Sequence, residues 1–388
     1  MKGIIPPFLY PILQRLKCWK QISLLTFFKL TTKINDQKVL FLSDSREELS
    51  GNLLFIYNQL NQHKGYKTVK RLKSSLLVKK TLKEKFQLIK DIATSKYLIV
   101  DDYYPVIYTL KLSKKQKLIQ VWHACGAFKK VGFSRTGKIG GAPETSLTHR
   151  NYTNVTVSSE NIRKNYAEAF GIDIEKIKAL GVPRTDIFFD KKYIQNTKGR
   201  LYKKYPKLKN KKAIMFAPTF RGKGFKTAYY NFNWLGWNKL YSELKNDYVF
   251  IIKVHPFTRN LEDLVLPKDS EDFYIDLSEE REINDLLLIS DILITDYSSV
   301  IFEFSLLNKP TIFFTPDLEE YIDKRDFYYP FSEYTFGPVV RNTKDLINAI
   351  KKEDLDEEKL NRFKNKFMSA CTGNSTEKVV NELILNNE

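Results

Sequence analysis

The sequence has few of the features that mark secreted or membrane-spanning proteins. Its three cysteines, Cys18, Cys125 and Cys371, are odd in number, far apart and without a CxxC pair. This pattern favours a reducing cytoplasmic setting over a disulfide framework. The longest uncharged run near the start, residues 3–14, is too short to span a bilayer and is interrupted by prolines. It also lacks the small-residue cleavage site of a signal peptide.

Motifs typical of several common chemistries are also missing. The chain has no P-loop, no GxGxxG fingerprint, no HExxH pair and no metal-ligand cluster, so the sequence predicts neither a metal site nor a cofactor. RNP-like motifs and zinc-finger spacings are absent, which argues against a nucleic-acid partner. The net charge of +19 nevertheless indicates anionic partners, such as phosphorylated substrates or an anionic membrane face.

Acidic residues are absent from residues 1–35, which hold six lysines and arginines among many aliphatic and aromatic side chains. Apolar side chains at positions 9, 12, 13, 16 and 19 fall near helical spacing. This pattern predicts a basic amphipathic segment that lies on an anionic membrane surface without spanning it. The alternative is an N-terminal helix packed on the core.

The length of 388 residues suits two domains around one cleft. Apolar strand-like runs alternate with helical patterns in both halves, so we predict an α/β fold with a parallel sheet in each half. The predicted domains cover residues 36–190 and 213–388. Residues 191–212, rich in lysine and with little apolar periodicity, are predicted to be the linker between them.

Histidine is scarce, and two of the four histidines follow apolar strand-like runs. His123 comes after Leu118–Trp122, and His255 comes after a run that ends at Val254. Because open α/β sheets bind ligands at the carboxyl ends of their strands, both histidines are candidate site residues. His123 also precedes a glycine-containing turn with two lysines beyond it, which suits chemistry on a phosphorylated substrate.

Further candidates lie at other strand ends. Ser298 and Ser299 precede a predicted helix, where their hydroxyls would hold a phosphate or merely cap the helix. Arg221 and Arg184 lie in loops where a guanidinium would fit phosphate oxygens, although a solvated surface is the default for any one cation. Glu303, one turn into the helix, could accept hydrogen bonds from ribose hydroxyls or face solvent.

An ordered series of motifs runs through most of the chain: Gln120–Lys130, Gly181–Asp186, Ala217–Arg221, Val254–Pro256, Thr295–Ser299, Asn308–Pro310 and Asp326–Tyr329. In order and spacing this series resembles the CDP-glycerol glycerophosphotransferase family, the teichoic acid primases and polymerases of Gram-positive bacteria. The resemblance implies a GT-B-like fold. In that fold two Rossmann-like domains face a central cleft, and the donor binds mainly to the C-terminal domain.

The resemblance also implies an activity. An alditol phosphate, glycerol 3-phosphate first and ribitol phosphate as the alternative, would move from its CDP ester to a hydroxyl of a polyprenyl-diphosphate-linked saccharide acceptor. CMP would leave, and the enzyme would work peripherally at the cytoplasmic face of the membrane.

The motif match also implies roles for the candidate residues. His123 would be the general base, and His255, Ser298 and Ser299 would bind the donor diphosphate. Three further residues are expected on the donor side: Arg221 as a cationic partner, Arg184 and Glu303.

Two departures from the family pattern favour a short member that adds one or a few units. The longer polymerases tend to carry Trp-His-Gly-Thr-Pro-Leu-Lys at the base motif, where this chain has Trp-His-Ala-Cys-Gly-Ala-Phe-Lys. Their long N-terminal region is not in this sequence. Two alternatives to the transferase remain open, a GT-B glycosyltransferase that uses a nucleotide sugar and a non-enzymatic binder of nucleic acid or anionic polymer.

Overall fold

The computed structural model describes residues 6–138, 141–222 and 226–386 of the chain. This part of the chain divides into two compact units, each with its own parallel sheet. The first unit comprises Met1–Asp186 and Lys366–Glu388, and the second comprises Ile187–Asn365. The prediction of an α/β chain with one parallel sheet in each half is confirmed.

The first unit contains six parallel strands, namely β1 (Asn35–Ser43), β2 (Lys67–Leu72), β3 (Ser95–Val100), β4 (Lys117–Gln120), β5 (Asn154–Thr156) and β6 (Ile177–Lys178). Their order in the sheet is β2-β1-β3-β4-β5-β6. Since β2 and β3 lie on opposite sides of β1, the switch point where doubly wound sheets bind ligands falls between β1 and β3. The helices are α1 (Tyr10–Lys17), α2 (Trp19–Thr31), α3 (Gly51–Leu60), α4 (Leu82–Thr94), α5 (Pro105–Tyr108) and α6 (Arg163–Phe170).

Helices cover both faces of the first sheet. Val39 and Phe41 of β1 pack in one core with Leu53 of α3. Lys38 points to the opposite face because side chains alternate along a strand, and its Nζ donates to Asp91 of α4 at 2.8 Å. Burial on both faces explains why the central strands are continuous apolar runs in the sequence.

The second unit contains β7 (Lys212–Phe216), β8 (Tyr248–Ile252), β9 (Tyr274–Asp276), β10 (Ile292–Thr295), β11 (Thr311–Phe314) and β12 (Val339–Val340). The parallel order β12-β11-β10-β7-β8-β9 is that of a Rossmann fold, with the switch point between β7 and β10. The helices are α7 (Lys191–Lys204), α8 (Trp237–Leu244), α9 (Ile283–Ile289), α10 (Val300–Ser305), α11 (Leu318–Lys324), α12 (Thr343–Lys352) and α13 (Glu357–Phe367).

The basic stretch 191–212, predicted to be a linker, is mostly helix α7 of the second unit. Its N-cap Asp190 accepts hydrogen bonds from the backbone of Lys192 and Tyr193 at 2.9 and 3.0 Å. The Tyr193 hydroxyl donates to Asp285 of α9 at 2.8 Å. We correct the prediction because the exposed face of a packed helix can be as rich in lysine as a linker.

The C-terminal residues return to the first unit. Helix α14 (Ser375–Val380) and the π-helical turn Asn381–Leu385 pack apolar side chains into the core under β1 and α3. Asp186 accepts the backbone N–H groups of Ser375 and Thr376 at 2.9 and 2.8 Å. The predicted C-terminal domain is therefore corrected at its end, because the last helix completes the other core.

The N-terminal segment forms α1 and α2. Leu25 and Phe28 of α2 are buried, and the Phe28 ring lies 5.0 Å from the Phe86 ring of α4. This packing on the core is the alternative to a membrane-surface segment. Other apolar side chains stay exposed, namely Phe8, Ile12, Leu16, Trp19, Phe27 and Leu30. Within the described ranges, no helix has the length and apolar character that a membrane crossing requires.

Candidate functional site

His123 follows a backbone turn that two buried amide side chains hold in place. The preceding residue, Trp122, has a φ of 47°, in the left-handed region that most residues avoid. Gln120 accepts the Trp122 N–H at 2.9 Å, and Asn52 donates to the Trp122 carbonyl at 2.7 Å. Backbone strain that is held by several hydrogen bonds in this way is typical of functional sites.

The imidazole of His123 is partly open to solvent and lies beside a carboxylate. Its side chain is 43% exposed, and its Nδ1 lies 3.4 Å from Oδ1 of Asp102. Desolvation by the surrounding protein lowers the pKa of His123, Asp102 raises it and Arg184 lowers it, and the net result is a lowered pKa. One side of the ring is therefore accessible while protein surrounds the rest. The ring is neutral at neutral pH and can accept a proton.

Arg184 lies in the first unit, in the turn after β6. Its backbone N–H donates to Oδ1 of Asn52 at 2.9 Å. Because Asn52 also holds the Trp122 carbonyl, one side chain connects the Arg184 turn to the His123 turn. Arg184 was expected on the donor side, and that role stays a prediction, while its charge also lowers the pKa of His123.

A buried ion pair occupies the switch point between β1 and β3. Arg46 follows β1, Asp101 is the first residue after β3, and their side chains are 2.6 Å apart. Burial raises the pKa of Asp101 to about 6, Arg46 opposes this increase, and Asp102 adds to it. Arg46 also donates to the Ser50 carbonyl and hydroxyl, both at 2.8 Å, so its guanidinium holds the loop after β1.

A second histidine, His149, lies in an aromatic cluster of the same unit. Its Nδ1 is 2.9 Å from the Tyr152 hydroxyl and 3.2 Å from the Tyr108 hydroxyl. Gln120 donates to the Tyr152 hydroxyl at 2.9 Å, so the cluster supports the residue that holds the His123 turn. Burial lowers the pKa of His149 to about 4, and its enclosure indicates a structural role.

At the switch point of the second sheet, the guanidinium of Arg221 is buried between two carboxylates. Nη1 donates to Asp296 at 2.9 Å, and Nε and Nη2 donate to Asp317 at 2.7 and 2.8 Å. Burial opposes the charge, but Asp296 and Asp317 raise the pKa of Arg221 above its ordinary value. Four aromatic rings surround its Cζ at 4.9–5.4 Å, namely those of Tyr230, Trp234, Tyr297 and Tyr321.

The expected role of Arg221 as a cationic partner of the donor phosphates is therefore corrected. Its side chain is 7% exposed, and its one positive charge faces two negative charges, a balance that does not attract phosphate. Asp296 also accepts the backbone N–H groups of Thr219 and Tyr297 at 2.8 and 2.5 Å. The Arg221 cluster thus joins the loops after β7, β10 and β11.

His255 lies shortly after β8, as predicted. Its Nδ1 accepts the backbone N–H of Phe257 at 3.1 Å. A neutral imidazole carries one proton, so this hydrogen bond assigns the proton to Nε2. A neutral His255 can therefore donate to a phosphate oxygen, while its part in holding the donor diphosphate stays a prediction.

Ser298 and Ser299 connect β10 to α10, and both are half-buried. The N-cap residue of α10, Ser299, makes no side-chain cap hydrogen bond, and the Ser298 hydroxyl accepts the Val300 N–H at a long 3.5 Å. The part of both hydroxyls in holding a phosphate stays a prediction. Glu303 is 2% exposed, so the solvent-facing alternative is wrong, and its contact with ribose stays a prediction.

Sequence reasoning missed the carboxylates that organise both sheet edges. Asp101, Asp102 and Asp296 directly follow apolar strands, which is the signal that identified His123, and it could have identified them. Asp317 and Asn52 had no such signal, because their partners are distant in sequence. Among residues 6–138, 141–222 and 226–386, no three His, Cys, Asp or Glu side chains are grouped to hold a metal ion.

Comparison with known proteins identifies relatives along most of the chain. Residues 24–385 match the family described as CDP-Glycerol:Poly(glycerophosphate) glycerophosphotransferase. The chain is 48% identical to the teichoic acid poly(ribitol-phosphate) polymerase of Bacillus spizizenii over 92% of its length. It is 43% identical to the teichoic acid ribitol-phosphate polymerase TarK of Staphylococcus aureus over 89% of its length. The chain spans 57% and 68% of these two relatives.

A solved structure confirms the predicted GT-B-like fold. The wall teichoic acid polymerase TagF superposes with a TM-score of 0.74 at 22% identity, covering 98% of this chain and 97% of that one. The strand-end motifs, the two parallel sheets and the family match along residues 24–385 agree. The chain therefore belongs to the CDP-glycerol:poly(glycerophosphate) glycerophosphotransferase family.

Proposed function

We propose that this chain transfers an alditol phosphate from its CDP ester to a hydroxyl of a teichoic acid acceptor and releases CMP. The observation that carries the proposal is the His123 imidazole, which is 43% exposed and has its Nδ1 3.4 Å from Asp102 at the carboxyl edge of the first sheet. Desolvation lowers its pKa, which favours the neutral form. A base in this state is what the attack of a hydroxyl on phosphorus needs.

The base would act through the nitrogen that does not face the carboxylate. With Nδ1 toward Asp102, a neutral His123 carries its proton on Nδ1 and accepts the hydroxyl proton at Nε2. The acceptor oxygen forms a bond to the phosphorus that bears the alditol, the bond from that phosphorus to the CMP oxygen breaks, and CMP leaves. Asp102 stabilises the imidazolium that forms, in the way a carboxylate orients and supports a catalytic histidine.

The second unit would hold the donor. Nε2–H of His255 and the hydroxyls of Ser298 and Ser299 are donors for the diphosphate oxygens, where negative charge accumulates as CMP departs. Arg221 would contribute as a positioning residue. Through Asp296 it fixes the backbone on which Ser298 and Ser299 stand.

Ribitol phosphate is the alditol phosphate that we propose. Glycerol 3-phosphate was the first expectation from the family resemblance, and ribitol phosphate was its alternative. Two relatives at 48% and 43% identity are named for ribitol phosphate, so their names favour the alternative. The proposed acceptor is a polyprenyl-diphosphate-linked saccharide or the chain growing from it.

A lipid-linked acceptor requires work at a membrane surface, so we propose peripheral binding through α1 and α2 at the cytoplasmic face. The exposed Phe8, Ile12, Leu16 and Trp19 lie among Arg15, Lys17 and Lys20, with no acidic residue before Asp36. Apolar side chains ringed by cations favour anionic lipid surfaces.

The test is an assay with purified protein, a short polyprenyl-linked acceptor and either CDP-ribitol or CDP-glycerol. We expect CMP release with CDP-ribitol and a product heavier by one or more ribitol phosphate units. CMP release with CDP-glycerol alone would overturn the choice of alditol. If neither CDP ester supports release while a nucleotide sugar is consumed, the phosphotransferase proposal is wrong and the glycosyltransferase alternative is right.

A further inference from the structure

An aromatic cluster surrounds His255 at the carboxyl edge of the second sheet. Phe220 lies in the loop after β7, and Phe257 lies two residues beyond His255 in the loop after β8. The ring centroid of His255 is 4.8 Å from that of Phe220 and 4.8 Å from that of Phe257. Phe220 and Phe257 are 5.7 Å apart, so the three rings form one cluster.

The cluster combines aromatic rings with a hydrogen-bond donor. The backbone N–H of Phe257 occupies Nδ1 of His255, which leaves Nε2 as the donor. The short turn is closed by a second hydrogen bond, from the Thr258 N–H to the His255 carbonyl at 2.9 Å. Because both bonds lie within one turn, the orientation of the Phe257 ring relative to the imidazole is set locally.

Phe257 keeps an accessible surface despite these contacts. Its side chain is 39% exposed, whereas most phenylalanines of this unit are buried in its core. The ring therefore presents apolar surface to solvent at the sheet edge where doubly wound folds bind their ligands.

We propose that Phe257 is the stacking platform for the cytosine base of the donor, with the diphosphate extending to His255. The identity of the base rests on the proposed function, while the stacking itself requires only a nucleotide donor. In a nucleotide, one ribose separates the base from the diphosphate. A site for such a ligand therefore needs an aromatic face close to a group that donates a hydrogen bond to phosphate. Stacking on an aromatic ring contributes affinity without choosing between bases, so cytosine selection must come from other groups.

The test measures the binding of CMP, CDP and inorganic pyrophosphate to the full chain by titration calorimetry. Phe257→Ala should weaken CMP and CDP binding about 10-fold or more, in the range that loss of one stacked base causes. Pyrophosphate binding should stay within about 2-fold, because pyrophosphate has no base to stack. Phe257→Tyr keeps the aromatic face and should bind CMP as the parent does.

A matched control and a second variant separate stacking from other effects. Tyr229 is also exposed in the loop after β7, at 46%, and Tyr229→Ala should leave CMP binding unchanged. Phe257→Leu keeps apolar bulk without a π face and should bind CMP as weakly as Phe257→Ala. CMP binding by Phe257→Ala that matches the parent would overturn the proposal. So would an equal loss for pyrophosphate, because the ring would then act only through the His255 turn.

A nucleotide panel separates this inference from the proposed function. If UMP binds in place of CMP and its binding falls in Phe257→Ala, the stacking site stands and the CDP-alditol donor is wrong. If CMP is released from CDP-ribitol while Phe257→Ala binds CMP normally, the function stands and the stacking site is wrong.

Discussion

The two units have the same kind of ion pair at the switch points of their sheets. Each has an arginine from the loop after its first central strand paired with an aspartate that directly follows the neighbouring strand. In the first unit Arg46 and Asp101 are 2.6 Å apart, and in the second Arg221 and Asp296 are 2.9 Å apart. Both pairs join the loops on either side of the crevice that a doubly wound sheet offers to ligands.

What surrounds the pairs differs, and so does the chemistry that each edge can perform. Beside Asp101, the next carboxylate, Asp102, faces an accessible histidine. Arg221 instead meets a second carboxylate, Asp317, and is enclosed by four aromatic rings. One edge therefore exposes a group that can exchange a proton, and the other rigidly supports a loop of hydroxyl donors. The comparison teaches that a shared backbone frame does not determine function, which depends on the side chains next to it.

The largest effect should come from removing the base. His123→Ala should lower kcat by about 100-fold or more, because general-base catalysis contributes on that scale. CMP and CDP binding, assigned to the other unit, should be unchanged in calorimetry. His63→Ala is the matched control, since His63 follows α3 in the same unit, and it should retain activity. If His123→Ala also abolishes CDP binding, the assignment of the base to the first unit and of the donor to the second unit is wrong.

Removing the arginine should lower the free energy of unfolding more for the Arg221 pair than for the Arg46 pair. Arg221→Met leaves Asp296 and Asp317 buried without compensation, so we expect a loss of about 3–5 kcal/mol in unfolding free energy. Arg46→Met should cost less, because Asp101, whose pKa is already raised to about 6, can be neutralised by taking up a proton. Urea unfolding of both variants at pH 7 measures the difference. Equal losses would contradict the expectation that proton uptake by Asp101 limits the cost of removing Arg46.

His149 should make the first unit sensitive to acid. Its pKa is about 4 in the folded state and about 6.5 when exposed, so the folded form resists protonation that the unfolded form accepts. Above pH 6.5 His149 is neutral in both states and does not lower the free energy of unfolding. As the pH falls from 6.5 toward 4, its protonation in the unfolded state lowers the free energy of unfolding by about 3 kcal/mol in all. His149→Phe should lack this part of the pH dependence in thermal unfolding curves. An unchanged dependence would assign the acid sensitivity to other groups.

The smallest effect should be a pair of opposite shifts in the pH profile of kcat. Asp102 raises the pKa of His123 and Arg184 lowers it. Asp102→Asn should therefore move the acid limb of the profile to lower pH and also slow the reaction, whereas Arg184→Gln should move the limb to higher pH. Shifts in the same direction would show that the limb does not report His123.

The site residues that sequence reasoning located share one property, which is a local signal. His123, His255 and Ser298 each follow an apolar run long enough to indicate a strand, and the strand-end rule then places them at a ligand edge.

The errors concern residues whose environment depends on distant partners. Arg221 was expected to meet phosphate, but its bonds reach Asp296 and Asp317, 75 and 96 positions away. The turn that carries Arg184 likewise depends on a distant partner, since Asn52, which holds it, is 132 positions away. Composition could not reveal these contacts, because an exposed cation and a buried, paired cation look the same in a sequence.

The sequence by itself determined the alternation of strands and helices, the strand-end positions of the candidate residues and membership of the family. The first two follow from short-range patterns of apolar and turn residues, whereas the family follows from the ordered series of motifs and the match along residues 24–385. Only the tertiary structure decided which cations are locked in ion pairs and which carboxylate faces His123. It also decided that the last helix completes the first core. The reason is physical, because burial and charge pairing are set by contacts between segments far apart in the chain, whereas hydrophobic periodicity is written into each segment.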